Sequence, residues 1–179
     1  MSSFINDLRT RAWWKNALSL LFAVLLVANI LTVYFLSAEN SSESSSRSEG
    51  IADVIAGAVV DGYHEMESAE QQEYVNKIHS PLRSAAHFSL FACIGMLSTL
   101  LIYSLNIRKW HFTIAIPLVF GLLNAVFDEL HQLSSEGRAC DILDICVDFS
   151  GVCLAVLTVN LIARLITVYR KRKGSVTAL

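Results

Sequence analysis

The string Asp128-Glu129-Leu130-His131-Gln132 closes one long apolar run of this chain, and Asp141, Asp144 and Asp148 open the next. Arg83 and His87 begin a third, and Arg138 lies in the short polar connection Leu133 to Ala139. An ionisable group inside an apolar span costs roughly 2.5–3.5 kcal/mol on insertion scales, so such a collection needs partners or a purpose. Several chemistries fit these residue types. Arg83 and Arg138 are suited to clamp a phosphate or carboxylate. Asp128 or Glu129, with His87 or His131, offers a base and an acid. Asp128, His131 and Gln132 lie on adjacent helical turns, and Asp144 or Asp148 would complete a shell of oxygen and nitrogen donors. No two histidines have the i, i+4 spacing of a zinc helix, so no metal is assigned. The structural alternative is a charge network in which Arg83 and Arg138 neutralise Asp144 and Asp148. His64 and His79 read as solvated side chains.

The elements that must position these groups are membrane spans. Of 179 residues 54% are apolar and only 17% charged, below the roughly 25% of a soluble domain. The apolar residues fall in four runs, about 16–36, 84–105, 112–130 and 142–163. A hydrocarbon core of about 30 Å needs about 20 helical residues, so each run is long enough to cross. The expected fold is all-α, a four-transmembrane-helix bundle with a long, partly helical outer loop at 37–82, in one domain over 1–179. The first run follows Arg9, Arg11 and Lys15 but exceeds the roughly 7–15 apolar residues of a signal core, so it reads as an uncleaved anchor. Trp13 and Trp14 read as interfacial anchors. Four cysteines give no disulfide framework, and Cys93, Cys146 and Cys153 read as small buried hydrophobes.

Bases set the direction. Arg9, Arg11 and Lys15, then Arg108 and Lys109, then Arg170 to Lys173 fall on one side of a four-span chain. Positive-inside bias predicts a multi-pass protein of the cell membrane with both termini cytoplasmic. Asp144 stands twenty residues before Arg164, a rise of about 30 Å, which puts it at the outer edge of its span. The same counting puts Arg83, His87 and His131 in that outer layer. Asp144, Asp148, Gly151 and Ala155 share one helical stripe, and Pro117, Gly121, Asn124, Asp128 and His131 another, with small residues allowing close approach. The acids are therefore expected to face the bundle, with Gly151 and Ala155 against the third span. The short connection makes the third and fourth spans antiparallel neighbours.

In the outer loop, Ser41 to Ser48 is polar, low in complexity and expected to be mobile. Ile51, Val54, Ile55, Ala58 and Val59 recur at helical spacing and predict a short helix on the membrane or over the bundle. Ser68 with Gln71 resembles a capping box opening a further helix, which Pro81 should end.

With these residues in view, the chain resembles the VanZ-like family. The resemblance rests on Asp128-Glu129-Leu130-His131-Gln132, Gly137-Arg138, Asp144, Asp148 and Gly151, and on Arg83 followed four residues later by His87-Phe88. The serines from Ser37 to Ser46 match the family's serine-rich stretch weakly. Leu90-Phe91 stands where the family pattern has Glu-Tyr, Ser84 replaces a Lys, and Ala155 a Gly. The resemblance implies a bacterial membrane protein linked to reduced susceptibility to the glycopeptide teicoplanin. Arg83, His87, Asp128, Glu129, His131, Gln132, Arg138, Asp144 and Asp148 are the expected ligand-binding set, with Asp128, Glu129, His131 and His87 the candidates for catalysis. The expected partners are membrane lipids and a lipid-linked cell-wall precursor or the glycopeptide, with no nucleic acid. One function class is recognition of an envelope lipid headgroup. The other is an acid/base or metal-assisted hydrolase or transferase acting on one. No cofactor is specified, and the absence of an internal repeat makes a transporter the poorer reading.

Overall fold

The computed structural model describes residues 2–135 and 140–176, with the side chains of 13–14, 16–135 and 140–173. The described residues are helical and contain no strand: α1 Ser2–Ser37, α2 Ser41–Val59, a 3₁₀ turn Tyr63–Glu65, α3 Ser68–Ser104, α4 Trp110–Gln132 and α5 Ile142–Val176. Four of these are long and apolar enough to span a bilayer, within Asn16–Ser37, Ser68–Ser104, Trp110–Gln132 and Ile142–Lys173. This is the expected four-span all-α architecture. The spans outrun their apolar cores: α3, with 37 residues, is about 55 Å long, well beyond a core of about 30 Å.

The segment between the first and second spans is more ordered than its composition suggests. Ser41 to Ser48 is not a mobile linker but the opening of α2. Asn40 caps this helix: its side chain accepts from the Glu43 nitrogen at 2.9 Å, and the Glu43 carboxylate accepts from the Asn40 nitrogen at 3.3 Å. That reciprocal box offsets the poor helix propensity of serine. Ser48 returns its hydroxyl to the Ser44 and Ser45 carbonyls, and Arg47 pairs with Glu39. The face of α2 that packs is also different from the expected one. Ser48, Ala52 and Ala56 are buried, while Ile51, Val54 and Val59 point outward. The small side chains let α2 lie close along α3, which leaves the large ones for lipid.

Pro81 does not end a helix, because α3 runs through it without interruption. Proline costs one backbone hydrogen bond, a loss that packed neighbours can absorb in membrane helices. Nor does Gln71 form a capping box with Ser68. The N-cap is Glu67, and Gln71 instead donates to the Tyr63 carbonyl at 2.8 Å, fastening the 3₁₀ turn to α3. At the far end of α3 the chain reverses at Asn106, whose φ of 64° is one that asparagine tolerates.

Helix association in lipid depends on close packing and polar contacts, since hydrocarbon is as apolar as leucine. The α3–α5 crossing is the closest approach. A Cβ on Gly95 would meet the Val152 carbonyl oxygen at 2.7 Å, and one on Gly151 would overlap the Phe88 carbonyl oxygen. Gly151 thus faces the second span rather than the third. It is Val152, one residue on, that fills the space over Gly121 of α4. Around this crossing Phe91, Ile94, Leu97, Ala125, Val152 and Val156 form the core, joined by Leu26 and Val33 of α1. Phe91, which departs from the family pattern, is a fully buried core side chain. A polar clasp holds the opposite end. Asn160 accepts from Tyr103 at 2.9 Å and Thr113 at 2.7 Å, and donates to the Thr113 and Val156 carbonyls. Leu20, Phe35, Leu123, Leu161 and other large apolar side chains point outward, where lipid replaces protein as their solvent.

Candidate functional site

Three spans deliver polar side chains to one end of the bundle. His87 enters from α3, Asp128 from α4 and Asp148 from α5. His87 Nδ1 stands 3.6 Å from an Asp148 oxygen and 4.0 Å from an Asp128 oxygen. Asp148 is fully buried and Asp128 nearly so, while His87 is partly exposed. Asp128 is held from both sides: Ser37, at the end of α1, donates to one oxygen, and Gln132 donates to the other at 2.9 Å. Asp148 lacks such hydrogen-bonded support: neither of its oxygens has a hydrogen-bond partner among the described residues.

Glu129 has a separate task. It is buried, and one oxygen accepts from the Asp141 backbone nitrogen at 2.8 Å, tying α4 to the start of α5. Its other oxygen has no hydrogen-bond partner among the described residues. His131 does not join the His87 cluster. It stacks on Tyr34 of α1, with ring centroids 4.4 Å apart, and lies in a small apolar recess with Ile30, Val33 and Asn124. The buried stripe of α4 runs through Thr113, Pro117, Gly121, Ala125, Asp128 and Gln132, so Asn124 and His131 fall on its flank toward α1. Asn124 bonds its own helix at the Phe120 carbonyl. Asp144 and Arg83 line the mouth of the site. Arg138 lies outside the described residues.

Two clefts meet at Arg83 and His87. The first, about 140 Å³, lies between α3 and α5 and is lined by Ser80, Arg83, Ser84, His87, Asp144 and Asp148, with Val147 the one apolar side chain. The second, about 110 Å³, lies among α1, α2 and α3. Val33, Leu36, Ile51, Leu82, Ala86 and Leu90 give it an apolar wall, and Glu39, Arg47 and Ser44 a polar rim. Sequence reasoning did not find Ser37, Arg47 or Ser44. The serine-rich stretch after the first span was the available signal, but nothing in its spacing told which hydroxyl would reach Asp128.

A family model described as VanZ/LLP1 matches residues 20–164. The chain belongs to the VanZ/LLP1 family. The matched stretch reaches into all four spans and holds every side chain of the cluster, so this polar layer lies within the family's own domain. No curated protein and no solved structure matches the chain at a significant level. A group of bases lies at the other end of the bundle of this VanZ/LLP1 protein. Arg108, Arg170 and Lys171 share a groove between α3 and α5, beyond the Asn160 clasp.

Proposed function

We propose that this VanZ/LLP1 protein binds the anionic headgroup of a membrane lipid, or of a lipid-linked cell-wall precursor, in the outer leaflet. The observation that carries the reading is the placement of Arg83 and His87 on the border of a polar cleft and an apolar one. An amphipathic molecule needs that pairing. Its phosphate would take hydrogen bonds from Arg83 beside the serines of the polar cleft, and its acyl chain would lie between α2 and α3. The bases at the opposite end support cytoplasmic termini, which leaves both clefts on the outer side. Binding an envelope precursor there would also be a route to the reduced teicoplanin susceptibility linked with VanZ-like proteins.

A second reading is a hydrolase or transferase acting on the same headgroup. The His87–Asp148 pair favours it, as an acid and a base side by side. The readings part at single substitutions. An enzyme should keep its lipid and lose turnover at His87→Ala, whereas a binder should lose affinity at Arg83→Ala.

The experiment is photolabelling with a phosphatidylglycerol analogue that carries a reactive group on one acyl chain. Crosslinks should map to the α2–α3 cleft around Ile51 and Ala86 and fall severalfold in Arg83→Ala. Labelling spread evenly over α1, α4 and α5, and indifferent to Arg83→Ala, would reject the site.

A further inference from the structure

We propose that His87, Asp128 and Asp148 form a binding site for a divalent first-row metal ion, zinc or manganese, at the floor of the α3–α5 cleft. The inference deepens the headgroup reading, on which it rests only for what fills the ion's remaining position. Each residue offers one donor atom, and the three donors lie within 4.8 Å of one another. Donors about 2.1 Å from a tetrahedral ion stand about 3.4 Å apart. The observed 3.6 and 4.0 Å from His87 Nδ1 to the two carboxylates need only small side-chain shifts to meet that spacing.

Acids gathered at a helix end are common without a metal, but two features distinguish this group. Asp148 is fully buried and aimed into the cluster, and neither oxygen has a hydrogen-bond partner among the described residues, His87 Nδ1 standing 3.6 Å away. Leaving a buried carboxylate unsolvated is expensive, so one without a hydrogen-bond partner calls for a proton, a water or a cation, and a cation also satisfies the two neighbouring donors. Asp128 is the second feature. Ser37 and Gln132 each engage one of its oxygens, and a carboxylate oxygen so engaged keeps a lone pair. That is how outer partners orient a metal-ligating carboxylate.

Charge points the same way. Two carboxylates beside one histidine leave a net negative charge even with the imidazole protonated. A divalent ion with a neutral imidazole brings the group to zero. Arg83 and Asp144 line the same cleft with opposite charges, and the neighbouring buried Glu129 carboxyl adds to the acidic side. A donor set of one imidazole and two carboxylates, without sulfur, suits zinc or manganese. Three protein ligands leave a position open toward the cleft that His87 and Asp148 line, where a phosphate oxygen or a water would complete the shell.

The test is metal titration of the detergent-purified full chain after chelator treatment and dialysis, using Zn²⁺ and Mn²⁺ as the probes. Wild type should bind one equivalent and unfold at a higher temperature when loaded. Asp148→Asn and Asp128→Asn keep the side-chain shape and should bind tenfold more weakly or worse. Ser37→Ala, which removes a partner of Asp128, should weaken binding by about tenfold, and His79→Ala should change nothing. A wild-type protein that takes up neither ion overturns the inference, as does binding that Asp148→Asn leaves intact. Lipid retained by the metal-free wild type, with no ion bound on titration, would reject the metal and leave the headgroup reading standing. Metal bound with no lipid retained would do the opposite.

Discussion

A Cβ on Gly151 of α5 would overlap the Phe88 carbonyl of α3 and come within 3.1 Å of the Ala92 nitrogen. Both are backbone atoms, which cannot turn aside as a side-chain tip can. The contact lies one turn beyond Asp148 and beside His87, so the crossing that it permits also sets the site's width. Gly151→Ala should therefore cost about 1–3 kcal/mol, the range for overpacking a filled interior. Leu157→Ala, on the exposed face of the same helix, should change little. Thermal unfolding in detergent checks the pair, and equal tolerance of both would refute the crossing.

Much of this was legible from residue order alone. The four apolar runs gave the spans, and the counting of turns gave the shared layer of Arg83, His87, Asp128 and Asp148. What pattern could not give was the choice of neighbour. A glycine stripe says that something comes close without saying what, so Gly151 was expected against the third span and lies against the second. His131 and Asp128 are close enough along a helix to share a face. They do line one recess toward α1, but the His131 ring stacks on Tyr34 there instead of joining His87. The serines of Ser41 to Ser48 read as a linker by composition. The box between Asn40 and Glu43 that begins their helix is a local signal, and it outweighed composition.

Tyr63 is buried, and its hydroxyl donates to Asp53 at 2.6 Å, joining the 3₁₀ turn to α2. That bond to the carboxylate, helped by burial and the like charge of Asp53, pushes the phenol up to about 12. The folded chain favours the neutral phenol. The bond therefore contributes fully below the ordinary tyrosine value near 10 and is lost as pH rises through about 12. Ultraviolet titration should reveal one late tyrosine, missing in Tyr63→Phe and returned toward 10 in Asp53→Asn. A late component that survives Tyr63→Phe would assign it elsewhere.

Cys140 offers a native probe of sidedness. It is exposed, just before α5 and at the same end as the clefts. Desolvation, then the Glu129 carboxylate, holds its thiol above the usual cysteine value, so labelling should be slow at neutral pH and faster in mildly alkaline buffer. In intact cells an impermeant thiol reagent should reach Cys140, whereas a cysteine introduced at Ser175 of a Cys140→Ser chain should react only after lysis. The reverse pattern would place the clefts on the cytoplasmic side and end the outer-leaflet reading.

The central claim is that Arg83 waits for an anion from the membrane rather than serving the fold. The most direct measurement is mass spectrometry of the lipids that stay with the purified chain, for wild type, Arg83→Ala and Arg83→Ala with Asp144→Ala. An arginine kept for a ligand adds little to stability, and sites of this kind trade stability for function. Wild type should retain an anionic phospholipid or a lipid-linked phosphate, and Arg83→Ala should lose most of it while unfolding at nearly the same temperature. Equal retention by both proteins would contradict the claim. So would a large loss of stability in Arg83→Ala that Asp144→Ala restores, because that is the behaviour of a structural ion pair.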